Sequence, residues 1–296
     1  MKPDYVVINA PSCLGLSPTG VERLPDSLKK YGLIEKLSAR DGTSLRPAPY
    51  NPRRDEKTGY LNPEGIREFS LKLADAVGKE WDRGSVPIVL GGDCSILIGD
   101  MLELKRRGRY GLLFIDGHAD YYGSHESPTG EAADMDLAIV TGAQNNDDFL
   151  ADIEGLKPLV RPEDTVLFGF RDEKLAKQAG SQDVRKSAIH VFSLDDIRRI
   201  GWDEALRQAL AIVTKKELKG FFIHFDVDVL DDVVMPAVDY RMPDGFTFKE
   251  ASKVLRRARE TGRLVGLNVT IFNPALDADG AIAQGLVDCL VDGLNP

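Results

Sequence analysis

Seven short, continuously apolar runs punctuate the chain: Tyr5–Ile8, Val86–Leu90, Leu112–Ile115, Thr165–Phe168, Ile189–Phe192, Phe221–Phe225 and Leu264–Val269. They are rich in β-branched and aromatic residues and do not alternate with polar ones. Each therefore reads as a strand covered on both faces. Longer stretches with helical spacing lie between them. Pro63–Glu80 follows Asn62, with Pro at the first helical position and Glu64 behind it. That is a favourable start, because the N–H missing from Pro would have no intrahelical partner anyway. Asp203–Thr214 and Thr247–Thr261 are similar, and Thr247 precedes Glu250 at capping-box spacing. Strand–helix alternation predicts an α/β fold, a three-layer α-β-α sandwich around a mainly parallel sheet. No repeat, low-complexity tract or long Pro/Gly linker divides the chain, so residues 1–296 are expected to form one domain. A chain of this length can bury roughly 75% of its unfolded surface without disulfides or structural metal.

Two polar segments interrupt the pattern. Leu45–Tyr60 is rich in Pro and Arg and reads as a surface loop. Its Arg46, Arg53 and Arg54 could gather an anion, although a solvated loop is the simpler reading. Tyr121–Asp136 directly follows a strand, where a site-lining loop belongs in an open α/β sheet.

Three segments carry chemistry. FIDGHAD, Phe114 to Asp120, runs from an apolar strand into Asp116, His118 and Asp120. Extended backbone would put those three on one face. FFIHFDVDVLDD, Phe221 to Asp232, ends its strand in Asp226 and Asp228. Burying these carboxylates without counter-charge is very costly, and a divalent ion is the simplest compensation. The competing reading makes them N-caps or solvated loop positions; two such motifs at the ends of two apolar strands argue against it. VLGGDCSI, Val89 to Ile96, breaks a strand at Gly91-Gly92 and opens a helix at Asp93 and Cys94. A Gly pair there allows a tight turn with unusual dihedrals. On its own, Cys94 reads as a buried, inert residue.

Together these segments resemble the arginase/agmatinase superfamily, the ureohydrolases, whose pattern is GGDH, then DAHxD, then a DxD strand end, in that order. The opening NAPSCLGLSPTGVERLPDSLKKYGLIEKL and the late GLNVTIFNPALD, Gly266 to Asp277, extend the resemblance over most of the chain. It implies two Mn²⁺ ions bridged by a hydroxide that attacks a guanidinium or amidine carbon. It also implies roles for residues. Asp116 and Asp226 would bridge both ions, His118 and Asp228 would complete one site, and Asp120 would ligate the other. Cys94 stands where the family has a ligating histidine.

Four departures redirect the expected activity. Cys94 is softer than imidazole and favours Zn²⁺ over Mn²⁺; its thiolate would add one negative charge to a cluster that four carboxylates and two divalent ions leave neutral. Ala133 replaces the family's loop histidine, for which His125 or Glu131 are candidate substitutes in catalysis alongside Asp120. Ile271 replaces the guanidinium-binding glutamate before Phe272, Asn273 and Pro274. Tyr121 and Tyr122 follow Asp120, where arginases carry an asparagine at the second position. His224 shares parity with Asp226 and Asp228, so it is either a donor to a ligand carboxylate or, more simply, a core histidine. His190 reads as structural.

The net charge of −9 argues against non-specific nucleic-acid binding and against an anionic membrane surface. No apolar stretch reaches the roughly 18 residues a membrane span needs. Cys13, Cys94 and Cys289 form no disulfide framework, which points to a cytoplasmic location. The expected protein is a cytoplasmic metal-dependent hydrolase cleaving a non-peptide C–N bond of a small-molecule substrate, guanidino, amidino or a related amide, with L-arginine itself not expected. Its cofactor is Mn²⁺ by family resemblance, or Zn²⁺ because of Cys94. The resemblance further implies a homo-oligomer, a trimer or hexamer. Two alternatives stand beside this: a single-metal, deacetylase-like amidohydrolase using Asp116, His118, Asp226 and Asp228, and a catalytically silent arginase-like subunit.

Overall fold

The computed structural model describes residues 3–295. Eight strands form one parallel sheet: β1 (Tyr5–Asn9), β2 (Arg40–Ser44), β3 (Val86–Leu90), β4 (Gly111–Ile115), β5 (Thr165–Phe168), β6 (His190–Phe192), β7 (Phe221–Asp226) and β8 (Leu264–Thr270). Their order is β2-β1-β3-β8-β7-β4-β5-β6. Adjacent residues of a strand feed opposite faces. Val7 and Ile88 join one apolar layer, with the helices Trp202–Val213, Phe248–Glu260 and Ala281–Leu294. Ile8 and Val89 join the other, with Pro63–Asp82 and Leu97–Arg107. The sandwich expected from the apolar runs is therefore present, and every predicted run lies on a strand.

β2 has no apolar signal. Its sequence RDGTS sits exposed at the sheet edge and pairs with only one neighbour, so a search for buried runs passes over it. Two local expectations also change. Asn62 does not cap its helix. It adopts a left-handed φ of 48°, and its side chain instead accepts from Asn51 N (2.6 Å) and donates to Leu14 O (2.9 Å). The Gly91-Gly92 pair is needed for close approach rather than for unusual dihedrals, since a Cβ on Gly92 would lie 1.7 Å from the Ser12 carbonyl oxygen. The capping box at Thr247 and Glu250 is present in both directions.

The four central strands, β3, β8, β7 and β4, deliver Cys94, Ile271, Asp226 and Asp116 respectively just at or beyond their C-terminal ends. Open parallel sheets bind ligands at this edge.

Candidate metal centre

Asp116, His118, Asp120, Asp226 and Asp228 converge as expected, but not through extended backbone. β4 stops at Ile115. The His118 amide then donates to Asp116 Oδ1 at 2.6 Å, closing an Asp-turn, and Asp120 takes a left-handed φ of 44°. The same device ends β7, where the Asp228 amide donates to Asp226 Oδ1 at 2.8 Å. In both motifs the first carboxylate bends the chain that presents the next one, which Asp side chains do readily. Cys94 opens a short 3₁₀ turn whose N-cap, Asp93, accepts from Ser95 N.

The donors fall into an outer and an inner group. Outermost, His118 Nδ1 lies 2.9 Å from Asp228 Oδ2 and 3.7 Å from Asp116 Oδ1. Behind Asp228, the Arg171 guanidinium donates to the backbone carbonyls of Asp228 and Leu230. Deeper, Cys94 Sγ donates to Asp226 Oδ2 at 2.8 Å and lies 3.3 Å from Thr270 Oγ1. Two further residues join this inner group. His224 Nε2 is 3.8 Å from Asp116 Oδ2 and 3.9 Å from Asp136 Oδ2. Donor atoms of Cys94, Asp116, His224 and Asp226 all lie within 4.8 Å of one another, as do those of Cys94, Asp120 and Asp136, and those of Asp116, His118 and Asp228. Asp136 was not foreseen. It closes the loop after Asp120 at the start of a short helix, so its sequence position looks like an N-terminal turn acid. Its full burial is the only distinguishing sign.

Electrostatics separates the two groups. Burial alone would push Asp228 up, but the His118 imidazole and Arg171 outweigh it and hold its carboxyl below the ordinary value. Burial works against charge on His118 too, yet Asp228 and Asp116 raise it well above a free imidazole. Asp116 is pushed up to about 7 by burial, with repulsion from Asp228 added. Burial likewise raises Asp120, Asp136, Asp226 and the Cys94 thiol, each helped by neighbouring carboxylates. His224 is pushed down to about 3 by burial, so it is neutral.

These residues fit a divalent ion. Asp116 Oδ2, Asp136 Oδ2 and His224 Nε2 are buried and have no hydrogen-bond partner. Orphaned buried acceptors of this kind are rare unless an ion or water completes them, and the carboxylate, imidazole and thiol set matches Mn²⁺ or Zn²⁺ ligand chemistry.

Above the cluster opens a cavity of about 630 Å³. Cys94, His118, Asp120, Asp226 and Asp228 reach it from below, and Leu16, Ala133, Leu175, Ala176 and Ile271 line it. Ile271 carries a φ of 70°, a costly region for a β-branched residue; its amide donates to Gly92 O at 2.8 Å. Glu131 is one carboxylate of the cavity wall, with Asp172 and Asp239, and accepts from Ser17 Oγ (3.1 Å) and Tyr240 OH (2.7 Å). Asp134, pushed to about 7 by burial, also lines it and was not foreseen. His125 is brought to none of this. It is exposed beside Gly59, on the part of the loop that Arg54 ties down by donating to the Gly59 and Ser124 carbonyls at 2.7 Å each. Arg54 is thus a loop tie rather than part of an anion patch. Tyr122 lines the cavity, whereas Tyr121 is buried in the apolar layer.

A parallel α/β sheet with a buried carboxylate–imidazole–thiol cluster at its central strand ends defines a protein built around a candidate divalent-metal centre. The chain belongs to the Arginase family, which matches residues 3–291. It is 29% identical to an arginase of Bacillus subtilis over 96% of each chain. Among solved structures it superposes on an arginase from Bacillus cereus with a TM-score of 0.87 at 25% identity, covering 100% of this chain and 99% of the other. A formimidoylglutamase from Bacillus subtilis shares the fold, with a TM-score of 0.75 at 16% identity over 99% of this chain and 86% of that one. The family implies a divalent metal, and the candidate ligands are in place. Among the described residues, no helix is long and apolar enough to cross a membrane.

Proposed function

We propose that this protein is a metal-dependent hydrolase that cleaves a non-peptide C–N bond in a small molecule less charged than arginine: an amide, a formamide or an amidine. The observation that carries this reading is the wall above the cluster. Ile271 and Ala133, both buried, stand where the resemblance places a guanidinium-binding carboxylate and a histidine. A guanidinium desolvated against Ile271 would lack a partner there.

In this reading Asp116, His118, Asp226 and Asp228 hold one ion, and Cys94 and Asp120 contribute to a second. A divalent ion bound there supplies an activated water at neutral pH and polarises the scissile carbon. The chain's own residues do the rest. Glu131, fixed by Ser17 and Tyr240, orients a polar group of the substrate, and Tyr122 closes the side of the cavity. His125 has no part, because it lies outside the cavity. Mn²⁺ is the family's ion and Zn²⁺ the one Cys94 favours. On the same resemblance the protein is a single-domain homo-oligomer, and its net charge and cysteine usage fit a cytoplasmic location without nucleic-acid or membrane partners. One observation favours the single-metal alternative: the Cys94 thiol is already satisfied by Asp226.

The test is a panel of guanidino, amidino, formyl and acetyl compounds assayed with Mn²⁺ and with Zn²⁺. Turnover of a weakly charged compound with negligible urea from L-arginine or agmatine supports the reading. L-Arginine turnover on the order of 10 per second would show that another carboxylate such as Glu131 binds guanidinium despite Ile271. Silence across the panel in metal-loaded protein would favour the non-catalytic subunit.

A further inference from the structure

We infer that His224 is a metal ligand, completing with Cys94, Asp116 and Asp226 a four-donor inner site that selects Zn²⁺. The inference rests on the metal-centre reading above and specifies its inner half.

His224 belongs to a buried relay. His224 is fully buried on β7, its ring stacked on Phe114 at 4.4 Å. Its Nδ1 is 2.8 Å from Asn268 Oδ1. The Asn268 amide nitrogen donates to Asp100 Oδ2 at 2.8 Å; with its carbonyl then facing the ring, Nδ1 acts as the donor. Nε2 is left with a free lone pair, buried and unpartnered. It is aimed between two unpartnered carboxylate oxygens, Asp116 Oδ2 and Asp136 Oδ2. A lone pair facing two carboxylate oxygens is repulsive unless a proton or a cation lies between them, and a bound cation relieves all three groups at once. Ligating histidines show this arrangement, with one nitrogen donating to a carbonyl and the other free to bind.

The donor set then decides the ion. Cys94, Asp116, His224 and Asp226 are four donors mutually within 4.8 Å. One sulfur, one imidazole and two carboxylates suit tetrahedral Zn²⁺ better than six-coordinate Mn²⁺. Substituting cysteine for the family's histidine removes an imidazole from one side of this site, and His224, one step deeper on the strand, supplies one from another. Asp228 belongs to the outer group, with His118.

The experiment uses the whole chain, stripped with chelator and titrated with Zn²⁺ or Co²⁺ alone. Four histidines make the imidazole ¹H–¹⁵N spectrum tractable. The first equivalent of Zn²⁺ should move His224 Nε2 before His118, and Co²⁺ should give a thiolate charge-transfer band that C94S abolishes. His224→Phe keeps the ring stack and removes the donor. It should weaken Zn²⁺ binding by more than the roughly 10- to 100-fold that loss of a residue merely supporting a ligand costs, and leave Mn²⁺ binding within a few fold. Because the wild-type spectra need no variant, a misfolded H224F does not rescue the idea. Zinc that perturbs only His118, or an affinity that falls in D136N but not in H224F, overturns the assignment and leaves the hydrolase reading standing. No zinc anywhere overturns the assignment, and no Mn²⁺ either overturns the hydrolase reading with it.

Discussion

The outer and inner halves of the donor cluster meet at Asp116 but balance charge differently. In the outer half, His118 sits between Asp116 and Asp228, with Arg171 behind, and Asp228 is held low. In the inner half, Asp120, Asp136 and Asp226 make no hydrogen bond or ion pair to Lys or Arg among the described residues, and burial raises all three. The outer half is therefore compensated by protein groups. The inner half requires protons or a cation, since isolated buried carboxylates are far too costly. The half without protein counter-charge is thus where an ion contributes most to folding.

The largest effect expected from this contrast is on stability against pH. An unfolded Asp titrates near 4. Asp116 titrates at about 7 in the fold, with Asp120, Asp136 and Asp226 also raised. A carboxyl raised in this way leaves the fold at full stability below the unfolded value and costs stability as pH rises through the folded value. Metal-free protein should therefore lose several kcal/mol between about pH 4 and 7, read as a falling Tm in chelator. Asp228 and the buried His224 have the opposite sign. Asp228 contributes above about pH 4 and loses that contribution on acidification. His224, pushed down to about 3, adds stability as pH rises towards the ordinary imidazole value of about 6.5. The net fall is what the four raised carboxyls leave after both. Saturating Zn²⁺ should flatten the fall, because the ion replaces the protons. A metal-free Tm that rises over the same range would show that the inner half is compensated by groups the account overlooks.

A smaller effect separates the halves by metal preference. Cys94→His exchanges a thiol for an imidazole in the inner half only. It should raise Mn²⁺ affinity relative to Zn²⁺ by about tenfold or more, measured by competitive titration of the two ions. Equal selectivity in both proteins would make Cys94 a core residue held by Asp226. The smallest effect belongs outside both halves. His125→Ala should change stability by no more than about 0.5 kcal/mol and leave metal binding unchanged, since His125 is exposed and not part of the cavity lining.

The parts of this design that the sequence announces are those made by apolar runs ending in ligand-type residues. β4 and β7 are such runs, and Asp116, His118, Asp226 and Asp228 follow from them. The residues left unread are the ones whose local sequence looks ordinary. Asp136 resembles a helix-start acid, and only the path of the 121–136 loop buries it against Asp120. His224 lies in an apolar strand, where a histidine is usually a satisfied core residue; its orphaned Nε2 depends on Asn268 and Asp100, distant in sequence. The extended geometry assumed for FIDGHAD was also misleading. Asp-turns, which period-two reasoning ignores, bring the same residues together. β2 escaped for a further reason, because an edge strand needs no apolar run.

The central claim is that the buried cluster holds divalent metal, and the direct measurement is metal content per chain. Chelator-stripped protein is reloaded with Zn²⁺ or Mn²⁺, desalted, analysed by plasma mass spectrometry and melted, beside Asp116→Asn, whose side chain is shared by both halves. The account predicts at least one tightly held ion per wild-type chain. At a thousandfold excess over Kd that ion should stabilise by about 4 kcal/mol. D116N should lose that increment while remaining at least as stable as wild type in chelator, because it removes a buried charge. A wild-type chain that retains no ion and melts identically with and without metal would contradict it.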